Sequence, residues 1–275
     1  MAKRGQILVS VVTAVDKAIR YEGCLPIFRG SWRIVSFFSP RIKFVPFVVR
    51  VQEGPFSRVV SSSRNGLIFQ TPHSTGFIAQ NIRVLAASLA PGDLVLTTDV
   101  DLIPLSYTYF EKVVEPILQG VSDLVVTRDI LEGEFPIGYF IASPDNFRKI
   151  SQVAEMEDLA FAVNRVASDL PENFVGRRGE GNFWNLDQRL LYEWATARTD
   201  LRLRKFSDEE TRFRRISRRR SGKNSVQRYM RLAKGKVTDF HLPLPVSRNL
   251  GYIWGVWLLS LIGLLYRRVS DILKD

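Results

Sequence analysis

Short β-branched apolar runs alternating with helix-period segments set the tightest limit on how this chain folds. Ile7 to Thr13 predicts a buried strand, and Lys43 to Val51 a second, with a mixed, helical segment between them. From Thr75 the spacing of Ile78, Ile82, Leu85 and Leu89 follows one helical face, which Pro91-Gly92 ends just before the apolar run Leu94 to Thr98. The alternation continues with a helix over Tyr107 to Gln119, strands at Leu124 to Thr127 and Ile137 to Ala142, and a helix opened by Ser143-Pro144. A Gly-rich loop, GRRGEGN at 176–182, precedes a helix from Asn185 to Thr196 with Leu186, Leu190, Leu191 and Trp194 on its apolar face. Strands interleaved with helices in this way predict an α/β fold, a mainly parallel sheet flanked by helices. Such sheets bind ligands beyond the carboxyl ends of their strands.

Charge narrows the reading further. The net charge is +11, but residues 202–236 hold 14 Lys and Arg against 3 Asp and Glu, which accounts for the whole excess. The rest of the chain is neutral, so the imbalance speaks of local contact with phosphates rather than of a basic fold. Few aromatic residues are spaced through this segment for base stacking, and no nucleic-acid partner is expected. A basic arm engaging lipid headgroups or a phosphorylated acceptor explains it better. The single cysteine, Cys24, can form no internal disulfide and is expected to be a buried thiol.

Asp99-Val100-Asp101 stands directly after the Leu94–Thr98 run and before Leu102-Ile103-Pro104-Leu105. With 15 Asp in 275 residues, about one Asp-x-Asp arises by chance, so its position carries the information rather than its pattern. A buried strand that delivers two carboxylates at its carboxyl end offers hard oxygen ligands for Mg²⁺ or Mn²⁺ shared with a diphosphate. A divalent cation there would stabilise the charge that grows when a sugar–nucleotide bond breaks.

The stretch FIAQNIRVLAASLAPGDLVLTTDVDLIPL resembles the GT-A glycosyltransferases, both the glycogenin and bacterial galactosyltransferase group and the glycosyltransferase domains of large algal viruses. The resemblance spans roughly residues 6 to 245 and implies a GT-A, Rossmann-like sheet. It implies metal and diphosphate binding by Asp99 and Asp101, with Val100 between them at the donor. It also implies a donor contact from Arg83, on the preceding helix. GNFWNLDQRLLYEW resembles the acidic motif that opens a late helix in these enzymes. Asp187 there implies a general base if the reaction inverts; if it retains, Asp187 and Gln188 would steady the sugar. His241 in VTDFHLPLP corresponds to a third metal ligand, with His73 as a loop or helix-capping neighbour instead. Thr13, Ala14 and Asp16 fall where the base and ribose sit, and Gly138 and Tyr139 where the sugar and acceptor pockets are lined. The chain lacks the HxxGxxKPW closing motif of the glycogenin pattern.

The expected activity is metal-dependent transfer of a sugar from a nucleotide-diphosphate sugar, UDP by family likeness, to a glycan, lipid-linked or glycoprotein acceptor. The cofactor would be Mn²⁺ or Mg²⁺. A nucleotidyltransferase would carry a Gly-rich loop after the first strand, and VVTAVDKAIRYEG has no glycine before Gly23. A basic membrane- or nucleic-acid-binding protein without catalysis explains the charge but not the carboxylate pair. Residues 1–247 are expected to form the catalytic domain and 248–275 an apolar helix. The stretch 249–266 carries no charge, and membrane association through it and the basic arm is expected. MAKRGQILVSVVTAVDKAIRY reads as a first strand rather than a signal peptide, which points to the cytoplasm or the cytoplasmic side of a membrane, without secretion.

Overall fold

The structure, a computed structural model, describes residues 5–17, 19–127, 133–136, 138–168, 185–216, 231–232, 234, 236–242 and 246–272. The opening expected from the sequence is present. Strand β1 (Ile7–Val15) leads through α1 (Ile19–Glu22) and α2 (Leu25–Phe38) to β2 (Ile42–Glu53), paired parallel to β1 with Ile7 opposite Ile42. A hairpin follows, β3 (Arg58–Ser63) and β4 (Gly66–Thr71). Gly66 has φ +146°, and a Cβ there would lie 2.1 Å from the Val48 carbonyl oxygen, so only glycine lets β4 lie this close to β2.

Helix α3 (Thr75–Leu85) runs on as a short 3₁₀ turn to Leu89, and β5 (Leu94–Thr97) pairs parallel with β1. Then come β6 (Leu102–Pro104), α4 (Tyr107–Leu118), β7 (Leu124–Thr127) and β8 (Phe140–Ala142). Helix α5 (Pro144–Ser151) starts as its sequence predicts, with the Ser143 hydroxyl accepting from the Asn146 N–H and proline in the first turn. The remaining elements are α6 (Met156–Ser168), α7 (Leu186–Thr196), β9 (Leu203–Phe206), α8 (Asp208–Thr211), β10 (Arg214–Ile216), β11 (Val237–His241) and α9 (Leu250–Ile272).

The main sheet has the strand order β3-β4-β2-β1-β5-β8-β7-β9, and β10-β11-β6 form a second, small sheet. The main sheet is mixed, because β3 and β8 run antiparallel to their neighbours while β4, β2, β1 and β5 are parallel. Each face has its own core. One gathers Trp32, Phe44, Phe110 and Phe240 under α2, α4 and α9; the other gathers Phe69, Phe77, Phe140 and Phe147 under α3, α5, α6 and α7.

Several expectations change. The strand read from Ile137 begins only at Phe140, since Gly138 and Tyr139 form a turn and Tyr139 takes φ +78°. Part of the expected basic arm is regular structure, namely β9, α8 and β10, while 217–230 lie outside the described residues, as does the 176–182 loop. Helix α9 packs on the domain, with Ile253, Val256 and Leu264 joining the core that holds Trp32. Among the described residues no helix is long and apolar enough to cross a membrane.

The β7–β9 edge is clipped by one ion pair. Arg202 Nε donates to Asp123 Oδ2 at 2.9 Å and Nη2 to Oδ1 at 3.1 Å, while the Arg202 N–H also donates to Oδ2. These side-chain and backbone hydrogen bonds pull the Asp123 carboxyl down to about 2. A carboxyl depressed on folding contributes stability above its unfolded value and loses it as pH falls through the folded one. Asp123→Asn should therefore lower the urea midpoint at neutral pH, and the gap to the parent should close between about pH 4 and pH 2. A gap that persists at the acid end would mean that the charge is not what holds this edge.

Candidate functional site

The carboxyl ends of β1 and β5 lie side by side, since these strands are parallel neighbours with Val12 opposite Thr97. Asp99, Val100 and Asp101 therefore leave the sheet at the same edge as Thr13, Ala14 and Asp16. The Asp99 carbonyl accepts from the Leu102 N–H at 3.1 Å, which folds the chain straight back into β6. Strand β6 pairs antiparallel with β11 and sets His241 opposite Leu102. The result is local: Asp101 Oδ1 stands 3.4 Å from His241 Nε2, and the Leu242 N–H donates to the Asp101 carbonyl at 2.8 Å.

Arg83 organises the other half. Helix α3 is buried on nearly every side, so an arginine in its last turn must find partners. Its Nη1 donates to Asp99 Oδ1, and its Nη2 donates to Asp187 Oδ2 at 2.6 Å. Asp187, in the first turn of α7, has a fully buried side chain and accepts further hydrogen bonds at Oδ1 from Gln80 Nε2 at 3.2 Å and from the Gln188 N–H at 2.9 Å. One guanidinium thus ties the strand-end carboxylate to a helix start 88 residues further on.

The two carboxyls answer differently. Burial pushes Asp99 up, but the charge and hydrogen bond of Arg83, helped by His241 and Arg215, outweigh it and hold Asp99 below the ordinary aspartate value. At Asp187 burial prevails over Arg83 and the Gln188 N–H, and its carboxyl is raised. Burial works against the Arg83 charge, yet the two carboxylates more than offset it and lift Arg83 above the ordinary arginine value. The guanidinium is cationic at any working pH.

A second buried pair lies beside the first and was not anticipated as part of the site. Arg215 Nε donates to Asp239 Oδ1 at 2.5 Å, and the Asp239 side chain is fully buried. Burial and then Asp239 push the Tyr139 phenol well above its ordinary value. A Cβ on Gly138 would sit 3.0 Å from Arg215 Nη2, so this turn lies directly against the guanidinium. Tyr139 is also a non-glycine residue held at positive φ with no side-chain exposure, a conformation sustained only by tight packing. Nothing in the sequence singles out Arg215 from the other basic residues of 202–236.

The remaining anticipated residues fall as follows. Thr13 is buried and Ala14 half-buried on β1, and Asp16 reaches the start of α3, with Oδ2 3.3 Å from where a Cβ on Gly76 would stand. Among the described residues, Thr13 Oγ1, Arg215 Nη2 and Asp239 Oδ2 are buried without a hydrogen-bond partner. Gln188 sits next to Asp187 with Nε2 turned to Asn185 Oδ1 at 3.5 Å. His73 stays outside the site, where Nε2 meets Asn164 Oδ1 at 3.2 Å. Cys24 is a buried thiol outside any disulfide.

Of the three anticipated metal ligands, Asp101 and His241 face each other and Asp99 points elsewhere. Asp99 is turned onto Arg83, and among the described residues no group of three or more His, Cys, Asp or Glu is arranged to hold a metal. The spacing of Asp101 and His241 is compatible with one. Ligands on adjacent corners of an octahedral Mg²⁺ or Mn²⁺ with bonds of about 2.1 Å lie roughly 3 Å apart, close to the 3.4 Å between these two atoms. Such ions take their remaining ligands from phosphate and water.

No protein-family model matches the chain, and no curated protein matches it in sequence. Solved structures do match, among them the crystal structure of a glycosyltransferase involved in the glycosylation of the major capsid of PBCV-1. That match has 11% identity and a TM-score of 0.44 over 90% of this chain and 98% of that one. A likeness at this level fixes neither a donor nor a chemistry for this chain.

Proposed function

We propose that this protein is a metal-dependent glycosyltransferase of GT-A type that binds a nucleotide-diphosphate sugar, with UDP as the first nucleotide to test, at the carboxyl edge of β1 and β5. The observation that carries this reading is the meeting, at one strand edge, of Asp99 and Asp101 with Arg83, Asp187 and His241, drawn from four distant parts of the chain. Asp101 and His241 would hold Mn²⁺ or Mg²⁺, which supplies positive charge to the departing diphosphate when bound.

The chain's own groups do the rest. Arg83, kept cationic and aimed by Asp187, would present its charge to a phosphate bound beside Asp99. Asp187 acts in this reading as a positioning residue. Its carboxyl is fully buried and spends both oxygens on Arg83, Gln80 and Gln188, which does not suit it to take a proton from an acceptor hydroxyl. Thr13, Ala14 and Asp16 would line the base and ribose, Val100 the donor, Gln188 the sugar, and Gly138 and Tyr139 the sugar and acceptor side. The acceptor would be a hydroxyl of a glycan, a lipid-linked saccharide or a glycoprotein.

The test is release of free nucleoside diphosphate from a panel of UDP-, GDP- and dTDP-sugars, with and without Mn²⁺, paired with calorimetry of nucleotide binding. Metal-dependent release from one donor is the expected result. The absence of both release and metal-dependent binding across the panel would overturn the assignment.

A further inference from the structure

Helix α9 presents the wrong kind of surface to water. It buries one seam, Ile253, Val256, Ser260 and Leu264, against the domain. The opposite face of a surface helix is ordinarily polar. Here it carries Trp254, Leu258, Leu261, Ile262, Leu265 and Val269, exposed by 38 to 64%. These six form one continuous stripe along a helix about 34 Å long, and an apolar patch of that extent marks a binding surface.

The stripe continues onto α2. On that helix Gly30 and Ile34 face α9, where the Trp257 ring lies 3.4 Å from the place of a Cβ on Gly30. Phe37, seven residues and two turns further on, points the same way as Gly30 and is 83% exposed. Phe37 also borders a groove of about 520 Å³ formed with Arg29, Arg33 and Lys43. Arg50 is close enough to add to the crowding: burial first, then the charges of Arg50 and Arg33, depress Arg29 below the ordinary arginine value. Among the described residues none of these four cations has a carboxylate within ion-pair distance.

We propose that α9 and the outward edge of α2 form one membrane-docking face, with α9 lying in the plane of an anionic lipid surface and Arg29, Arg33, Lys43 and Arg50 taking the phosphate-bearing headgroups. Charge selects this occupant. A symmetric second copy would bring the same four cations together, whereas an anionic bilayer offers both the apolar layer and the balancing negative charge. The buried seam on α9 keeps the helix against the domain, so it lies on the membrane and does not cross it. Trp254 and Trp257, whose rings meet edge-on at 5.9 Å, suit the headgroup level. The face is independent of the catalytic residues.

The test is flotation of the full chain with vesicles of phosphatidylcholine alone, or with phosphatidylserine as about a third of the lipid, at physiological salt. The parent should float with the anionic vesicles and release in high salt or alkaline carbonate. The double variant R29Q/R33Q should bind them about 25-fold more weakly, from about fivefold for each lost cation. Leu258→Glu, at a site 62% exposed and so harmless to the core, should abolish flotation with an unchanged thermal melt. Equal binding by R29Q/R33Q, resistance to carbonate, or a dimer in light scattering that Leu258→Glu dissociates would each overturn the proposal.

Discussion

Asp101→Asn is expected to lower metal-dependent donor cleavage by about 10²- to 10³-fold, the usual cost of removing one preorganised charged contact from a transition state. The change keeps shape and removes charge. Asp101 is 3% exposed, and its backbone carbonyl bonds the Leu242 N–H, an interaction that asparagine retains. The turn from β5 into β6 and the register of His241 against Leu102 should therefore survive, with an unfolding free energy from urea titration within about 1 kcal/mol of the parent. What goes is the anionic oxygen 3.4 Å from His241, half of the pair that fits a cation. Nucleoside diphosphate release measured across a Mn²⁺ titration should show both a lower maximum and a weaker metal dependence. Unchanged turnover at saturating Mn²⁺ would remove Asp101 from the chemistry and leave the carboxylate pair as a structural cap.

Arg83→Met is expected to cost about 3–5 kcal/mol of stability, the magnitude seen when one partner of a buried ion pair is removed. Arg83 is 7% exposed and Asp187 has no side-chain exposure, so the variant leaves a carboxylate in the interior with, among the described residues, only Gln80 and the Gln188 N–H to bond it. The pH dependence has a definite sign. Asp187 is already raised, and without Arg83 it rises further. Its cost is then present above the folded value and absent once the group is protonated. Asp99, depressed by Arg83 in the parent, contributes stability above its unfolded value and loses it in acid. The Asp187 effect narrows the gap between parent and variant as pH falls from 7 towards 4, and the Asp99 effect narrows it further only below about pH 4, which urea midpoints at several pH values would measure. The double variant R83M/D187L should recover most of the loss, since an apolar pair of similar size can replace a buried ion pair. A single variant as stable as the parent at pH 7 would mean that Arg83 is not the tie between α3, β5 and α7.

Much of the sheet was legible because local pattern and tertiary role agree there. β1, β5 and β7 are short apolar runs, and α3 is a periodic segment stopped by Pro91-Gly92, where Gly92 takes φ +126°. The hairpin β3–β4 escaped notice because Arg58–Ser63 is polar and exposed at the sheet edge, although Asn65-Gly66 carried a turn signal. β10, β11 and β6 escaped because three- to five-residue strands leave no period to read.

By itself the sequence determined the alternation of β1, β2, β5 and β7 with α2, α3, α4 and α5, the strand that delivers Asp99 and Asp101, and the helix that carries Asp187, since each depends on neighbours a few residues away. Only the tertiary structure decided that Arg83 grips both Asp99 and Asp187, that His241 comes back beside Asp101, that Arg215 and Asp239 stand next to the site, and that α9 shows its apolar face outward. Those outcomes join residues 16 to more than 100 positions apart. Burial and strand pairing choose among such partners, and no local pattern records the choice.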